Sequence, residues 1–113
     1  QISATKDHAC AVRNDGSLAC WGDPGFGATT PPSGVFEQVT AGWGHTCALR
    51  TNGQVACFGN NDNLQATQQE GPYVQIAASL GFNCGVRTTA AIECWGKPVV
   101  FFFSLIERII HTD

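Results

Sequence analysis

Six cysteines are the residues of this 113-residue chain best able to do chemistry. They fall in close pairs, Cys10/Cys20, Cys47/Cys57 and Cys84/Cys94, with ten residues from one member to the next. Zinc sites bring cysteines closer, typically about two to four residues apart. An even count at even spacing instead predicts disulfides, and with them a secreted or cell-surface location outside the reducing cytosol. Once oxidised, such cysteines are not nucleophiles.

The remaining polar residues do not converge. His8 and His45 hold one repeat position, but Phe82 replaces them in the third copy, so a structural role is expected there. His111 is isolated. The carboxylates Asp7, Asp15, Asp23, Glu37, Asp62, Glu70, Glu93, Glu107 and Asp113 are scattered. Asn60-Asn61-Asp62-Asn63 hints at calcium but lacks the alternating ligands and terminal Glu of a calcium loop. No Ser/His/Asp order, phosphate loop or carboxylate pair occurs. The expectation is no enzyme, with no catalytic residue, metal or cofactor. A net charge of −3 with six basic residues gives no electrostatic footprint for nucleic acid. No apolar run approaches the roughly 18 residues of a membrane span. No Asn-x-Ser/Thr acceptor exists. Thr29-Thr30-Pro31-Pro32-Ser33 reads as an extended loop, with Thr29, Thr30 and Ser33 as candidate acceptors for O-linked sugar.

The cysteines are positioned by a repeat. Cys10, Cys47 and Cys84 lie 37 residues apart, as do Cys20, Cys57 and Cys94. Gln1/Gln38/Gln75, Ala4/Ala41/Ala78, Arg13/Arg50/Arg87 and Gly22/Gly59/Gly96 keep the same step without a gap. Three copies are therefore assigned to 1–37, 38–74 and 75–96, followed by an apolar tail over 97–113. The copies contain short β-prone segments bounded by glycine, and none has a long helical period. A hairpin is the best-defined piece. Cys10–Arg13 and Ser17–Cys20 flank Asn14-Asp15-Gly16, a three-residue loop with glycine at its left-handed position. That loop sets Arg13 opposite Ser17, Val12 opposite Leu18, Ala11 opposite Ala19 and Cys10 opposite Cys20. The cysteines then fall at a non-hydrogen-bonded pair, where Cα atoms approach to about 4.5–5.5 Å, within disulfide range. Each repeat is expected to carry its own bridge: Cys10–Cys20, Cys47–Cys57 and Cys84–Cys94. In the third repeat Thr88-Thr89-Ala90 lacks the glycine, which predicts a strained or altered turn. Alternation puts Cys10, Val12 and Leu18 on one face and Ala11, Ala19 and Trp21 on the other. Both faces are apolar or small, so sheets stacked face to face are expected. Arg13, Arg50 and Arg87 recur near Trp21, Phe58 and Trp95; a packing and turn-anchoring role is expected of them, with stacking on those rings as the alternative.

The stretch His45-Thr-Cys-Ala-Leu-Arg-Thr-Asn-Gly-Gln-Val-Ala-Cys-Phe-Gly-Asn60, preceded by Phe36 and Val39-Thr-Ala-Gly42, resembles a repeat of the regulator-of-chromosome-condensation type. It is most similar to the cysteine-bearing variant of bacterial secreted proteins and plant crinkly-type receptor ectodomains. The resemblance covers residues 1–96. It implies an all-β propeller of four-stranded blades, about seven in the family, acting in protein–protein recognition. Three repeats cannot close such a ring, so the expected architecture is an open, partial propeller of three antiparallel blades with a C-terminal apolar strand. The nucleotide-exchange activity of the founding member uses loops not found here and is not carried over.

The tail holds the most apolar run, with Val99, Val100, Phe101, Phe102, Phe103, Leu105 and Ile106. It would be an aggregation hazard if left exposed. Three readings stand open: a last strand for the third blade, a strand given to a neighbouring copy, or a short amphipathic helix over Leu105–Ile110 or foreign tail. Open-ended repeat arrays must be capped, associate or aggregate. The first expectation is an extracellular structural protein that assembles with itself, as a ring or a filament. The alternative is a recognition module of a larger receptor ectodomain or inhibitor, binding another protein or a glycan. The chain has no Met and begins inside a repeat, which suggests a processed chain or a fragment.

Overall fold

The computed structural model describes residues 1–5, 8–23, 29–61, 66, 68–79 and 81–96. These form nine strands: β1 Ile2–Ala4, β2 His8–Val12, β3 Leu18–Gly22, β4 Phe36–Ala41, β5 His45–Arg50, β6 Val55–Gly59, β7 Tyr73–Ala78, β8 Phe82–Arg87 and β9 Ile92–Gly96. They pair into three antiparallel meanders, β1-β2-β3, β4-β5-β6 and β7-β8-β9, one blade per repeat. The blades are stacked in sequence order and do not close on themselves.

Within each blade the hairpin register sets Cys10 opposite Cys20, Cys47 opposite Cys57 and Cys84 opposite Cys94. All three pairs are bridged. The three-residue loops share one geometry. Gly16, Gly53 and Ala90 each donate a backbone hydrogen bond of 2.9 Å to the carbonyl of the arginine three residues before, at or just past the end of the preceding strand. Their φ angles are 87°, 90° and 72°. The third loop is therefore the same turn with a side chain in the left-handed region, where a Cβ costs roughly 1–2 kcal/mol. Ala90→Gly is expected to raise stability by about 1 kcal/mol, since glycine's own entropy cost offsets part of the relief. A thermal melt showing no rise would refute it.

Each blade has three described strands where the resemblance implies four. Among the described residues of the second, Val55 and Gln69 form an antiparallel bridge, and beside it the Gln68 side chain accepts from Cys57 N–H and donates to Cys57 carbonyl. The tail residues Val99, Val100, Phe101, Phe102, Phe103, Leu105 and Ile106 lie outside the described residues.

The core lies between blades. One cluster joins Cys10 and Leu18 to Phe36, Val39, Ala48 and Ala56. The next joins Cys47, Leu49, Val55 and Cys57 to Tyr73 and Ile76. Each blade thus has a forward face toward its successor, carrying the disulfide, and a back face toward its predecessor. Backbone bonds add to this: Phe36 N–H donates to Gly16 carbonyl (2.8 Å) and Tyr73 N–H to Gly53 carbonyl (2.9 Å). The turn of one blade thereby pins the start of the next.

Candidate interaction surfaces

Most side-chain hydrogen bonds between blades follow one rule, the bond from Gln38 to Val74 carbonyl being an exception. A forward-facing residue meets a partner 38 positions later, one repeat plus one residue, because neighbouring residues on a strand point to opposite faces. Gln1 spans the gap with both ends of its amide, accepting from Val39 N–H (2.7 Å) and donating to Val39 carbonyl (3.1 Å). Gln38 does the same in the next gap, accepting from Ile76 N–H (3.2 Å) and donating to Val74 carbonyl (3.1 Å). Ser3 accepts from Ala41 N–H and Thr40 from Ala78 N–H, each at 3.0 Å. These bonds go to the open edges of β4 and β7. Unsatisfied edge groups there would carry the cost of an unpaired buried donor or acceptor.

The histidines complete the set. His8 Nε2 lies 2.8 Å from Thr46 Oγ1, and His45 Nε2 donates to Asn83 Oδ1 at 2.8 Å. His8 is 4% exposed and His45 is fully buried. The His45 ring lies over Gly42, where any Cβ would collide with it and approach Ser79 carbonyl to 2.6 Å. His45 Nδ1 is buried with no hydrogen bond of acceptable geometry. Burial pushes the His45 imidazole below its ordinary range; the bond to Asn83 and the nearby Trp43 backbone oppose this more weakly. The sign for stability follows. Above the ordinary imidazole range both folded and unfolded chains hold a neutral ring. As pH falls below it, the unfolded chain takes up a proton that the folded one refuses. Stability should then fall by up to about 1.4 kcal/mol per pH unit for this one group, until the folded ring titrates. Denaturant melts from pH 7.5 to 5 check this, and His45→Phe should flatten the slope. An identical slope in that variant would refute the assignment.

Two of the arginines stack on rings, though not on those of the alternative reading. Arg50 lies over Phe36 (4.7 Å) and Arg87 over Tyr73 (4.5 Å), not over Phe58 or Trp95. Register explains it: Arg50 is opposite Phe36 and Arg87 opposite Tyr73, whereas Trp21 sits opposite Ala9, at the far end of its blade from Arg13. Arg87 also pairs with Glu93 at 2.7 Å and holds its carboxyl below the usual range. Asp15 accepts from the Ser17 backbone and hydroxyl, as turn chemistry requires. No group of three or more metal-ligating side chains occurs among the described residues. Asp62 and Asn63 of the Asn-rich loop lie outside them. Of the candidate sugar acceptors, Thr30 and Ser33 are exposed and Thr29 is half-buried.

Among the described residues two further surfaces stand out. The first strands of the blades line a cleft of about 530 Å³, bordered by Gln1, Ser3, Glu37, Gln38, Val74 and Gln75. Its amides are largely committed to the bonds above. The second surface is the back face of blade 1. Ile2 is 63% exposed, whereas its repeat counterparts Val39 and Ile76 are 1% and 8% exposed. Ala4 is exposed where Ala41 and Ala78 are buried, and Ala11 and Ala19 are half-buried where Ala48 and Ala56 are buried. Trp21 is 50% exposed. This face has the residue types of an inter-blade core without the cover. Face-to-face stacking was expected to cover the blade faces, with an open apolar face at each end of the stack, and the back face of blade 1 is such a face. The inter-blade bonds had escaped the sequence reading, although the recurrence of Gln1, Gln38 and Gln75 in an apolar context was their signal.

A family model described as the regulator of chromosome condensation (RCC1) repeat matches residues 1–28 and 36–65, over half of the chain. Solved structures agree in shape. The ectodomain of the Physcomitrella patens receptor kinase CR4 is 25% identical with a TM-score of 0.74, covering 88% of this chain and 29% of that one. The crinkly ectodomain of the Arabidopsis thaliana receptor kinase ACR4 is 24% identical with a TM-score of 0.71, covering 87% and 36%. Yeast RCC1 (Prp20), solved bound to Kap60, is 17% identical with a TM-score of 0.73, covering 85% and 31%. The chain thus spans about a third of the length of each of these structures. No curated protein sequence matches.

Proposed function

The chain belongs to the regulator of chromosome condensation (RCC1) repeat family, and on that premise we propose that it is an extracellular protein-interaction module without catalytic activity. The observation that carries this reading is the stack of disulfide-bridged RCC1-type blades, similar to the ectodomain of the receptor kinase CR4. Three intra-blade bridges support an oxidising compartment. The two receptor ectodomains among the similar structures favour the cell surface over the nucleus, where the thiols would be reduced.

A photo-crosslinking residue placed at Trp21, compared with one at the exposed turn residue Thr51, tests the reading in the native extracellular setting. A protein adduct from position 21 and none from position 51 is expected. Equal labelling from both positions, or cysteines recovered as free thiols, would overturn it.

A further inference from the structure

We infer that Asn52, in the hairpin turn of the middle blade, is a site of spontaneous deamidation, and that the fold selects aspartate over isoaspartate as its product. Asn52 is the one asparagine of the sequence that is followed by glycine. The chemistry needs that neighbour. The backbone nitrogen of residue 53 must reach Asn52 Cγ, and glycine brings no Cβ into its path. Gln54 N–H donates to Asn52 Oδ1 at 3.0 Å. This bond folds the side-chain amide back around the Gly53 peptide and sets a donor where negative charge develops during attack. Asn52 is exposed, so water enters and ammonia leaves. One contact opposes the reaction. Gly53 N–H is held by Arg50 carbonyl at 2.9 Å, so the turn must open before the nitrogen reacts. The nitrogen then gives up its proton and attacks Asn52 Cγ. A bond from nitrogen to Cγ forms, the bond from Cγ to Nδ2 breaks, and ammonia leaves with the proton, closing a succinimide ring. Water adds to a ring carbonyl. Opening at Cγ gives aspartate. Opening at the backbone carbonyl gives isoaspartate, whose main chain runs through Cβ and Cγ. Nothing is oxidised or reduced.

The other blades decide between the products. One period earlier, the position of Asn52 holds Asp15. Asp15 Oδ1 accepts from Ser17 N–H at 2.9 Å, the same bond that Asn52 takes from Gln54. The turns around them match, with Gly16 and Gly53 at φ angles of 87° and 90°. Gly16 carbonyl accepts from Phe36 N–H as Gly53 carbonyl does from Tyr73 N–H. Aspartate is therefore a residue that this turn already carries in blade 1. Isoaspartate has no such precedent. Its extra main-chain carbon would displace Gly53, which is buried against blade 3: an added Cβ there would stand 2.8 Å from Pro72 Cα, and Gly53 carbonyl pins Tyr73. Both products exchange through the same succinimide, so the one that fits the folded turn accumulates. The chain becomes one charge more negative at an exposed turn and keeps its fold.

Peptide mapping tests this. The 113-residue chain is incubated in mildly alkaline buffer, once folded with its disulfides intact and once reduced in urea. Mass spectrometry then follows each asparagine, with fragmentation that separates aspartate from isoaspartate. In the folded chain Asn52 should convert at least about tenfold faster than Asn14 or Asn60, which lack the following glycine, because small misplacements of an intramolecular nucleophile cost large factors in rate. Aspartate should dominate there, and its share should drop in the unfolded sample. Asn52→Asp should keep the wild-type urea midpoint, as Asp15 does its own turn. Conversion of Asn52 no faster than Asn14 would overturn the site. An equal product ratio in folded and unfolded chains, or a lowered midpoint for Asn52→Asp, would overturn the selection.

Discussion

Reduction of the three disulfides should unfold the chain near physiological temperature. Each bridge joins residues ten apart across one hairpin. Closing so short a loop restricts the unfolded chain by about 2–3 kcal/mol. Three such terms approach about 6–9 kcal/mol, comparable with the whole stability of a small domain, roughly 5–15 kcal/mol. This chain has little in reserve. Its described blades have three strands each, and the back face of blade 1 is open to water. Cys10, Cys47 and Cys84 are fully buried, so reduction also leaves thiols packed where a bridge had been. Far-ultraviolet circular dichroism in urea, with and without reductant, reads the effect. Of the single-bridge variants, the Cys47→Ala/Cys57→Ala pair should cost most, because both members are buried while Cys20 and Cys94 are only partly so. An unchanged urea midpoint with all six thiols titratable would contradict the account.

Leu49→Ala should be the most damaging single truncation, at about 2–5 kcal/mol. Leu49 is fully buried and packs with Cys47, Val55, Cys57, Tyr73 and Ile76, with Trp95 at the rim. It lies on the middle blade, which has a blade on either side, so the surroundings cannot collapse into the space without moving a sheet. The same repeat position offers internal controls. Val12 and Val86 are only partly buried. Val12→Ala and Val86→Ala should therefore cost clearly less than Leu49→Ala, since they remove fewer buried methyl groups and leave smaller cavities. Equal losses at all three positions would show that repeat position rather than burial sets the cost.

Much of the candidate site was readable before any coordinates, and the reason is locality. A three-residue turn fixes a hairpin register, and the register brings Cys10 to Cys20 with nothing else needed. The strained turn at Ala90 was readable in the same way, because glycine is missing at one defined position. The rings that Arg50 and Arg87 reach were not legible. Face alternation puts arginine and the blade-edge aromatics on one side but does not tell how far apart along the strand they lie. The ring each arginine reaches belongs to the first strand, whose pairing includes a bulge that the hairpin argument does not contain.

By itself the sequence determined the number of blades, their hairpin registers and the pairing of the cysteines. All three follow from spacing within one repeat or from its recurrence. Only the tertiary structure decided which apolar face is covered. Ile2 and Val39 are equivalent in the repeat, both aliphatic on a first strand, yet one is 63% exposed and the other 1%. The difference lies in what stands in front of each, and burial is a property of neighbours in space. The bonds from Gln1, Ser3, His8 and His45 to the following blade belong to the same class. They depend on how closely two sheets approach, a distance set by packing and not by any pattern along the chain.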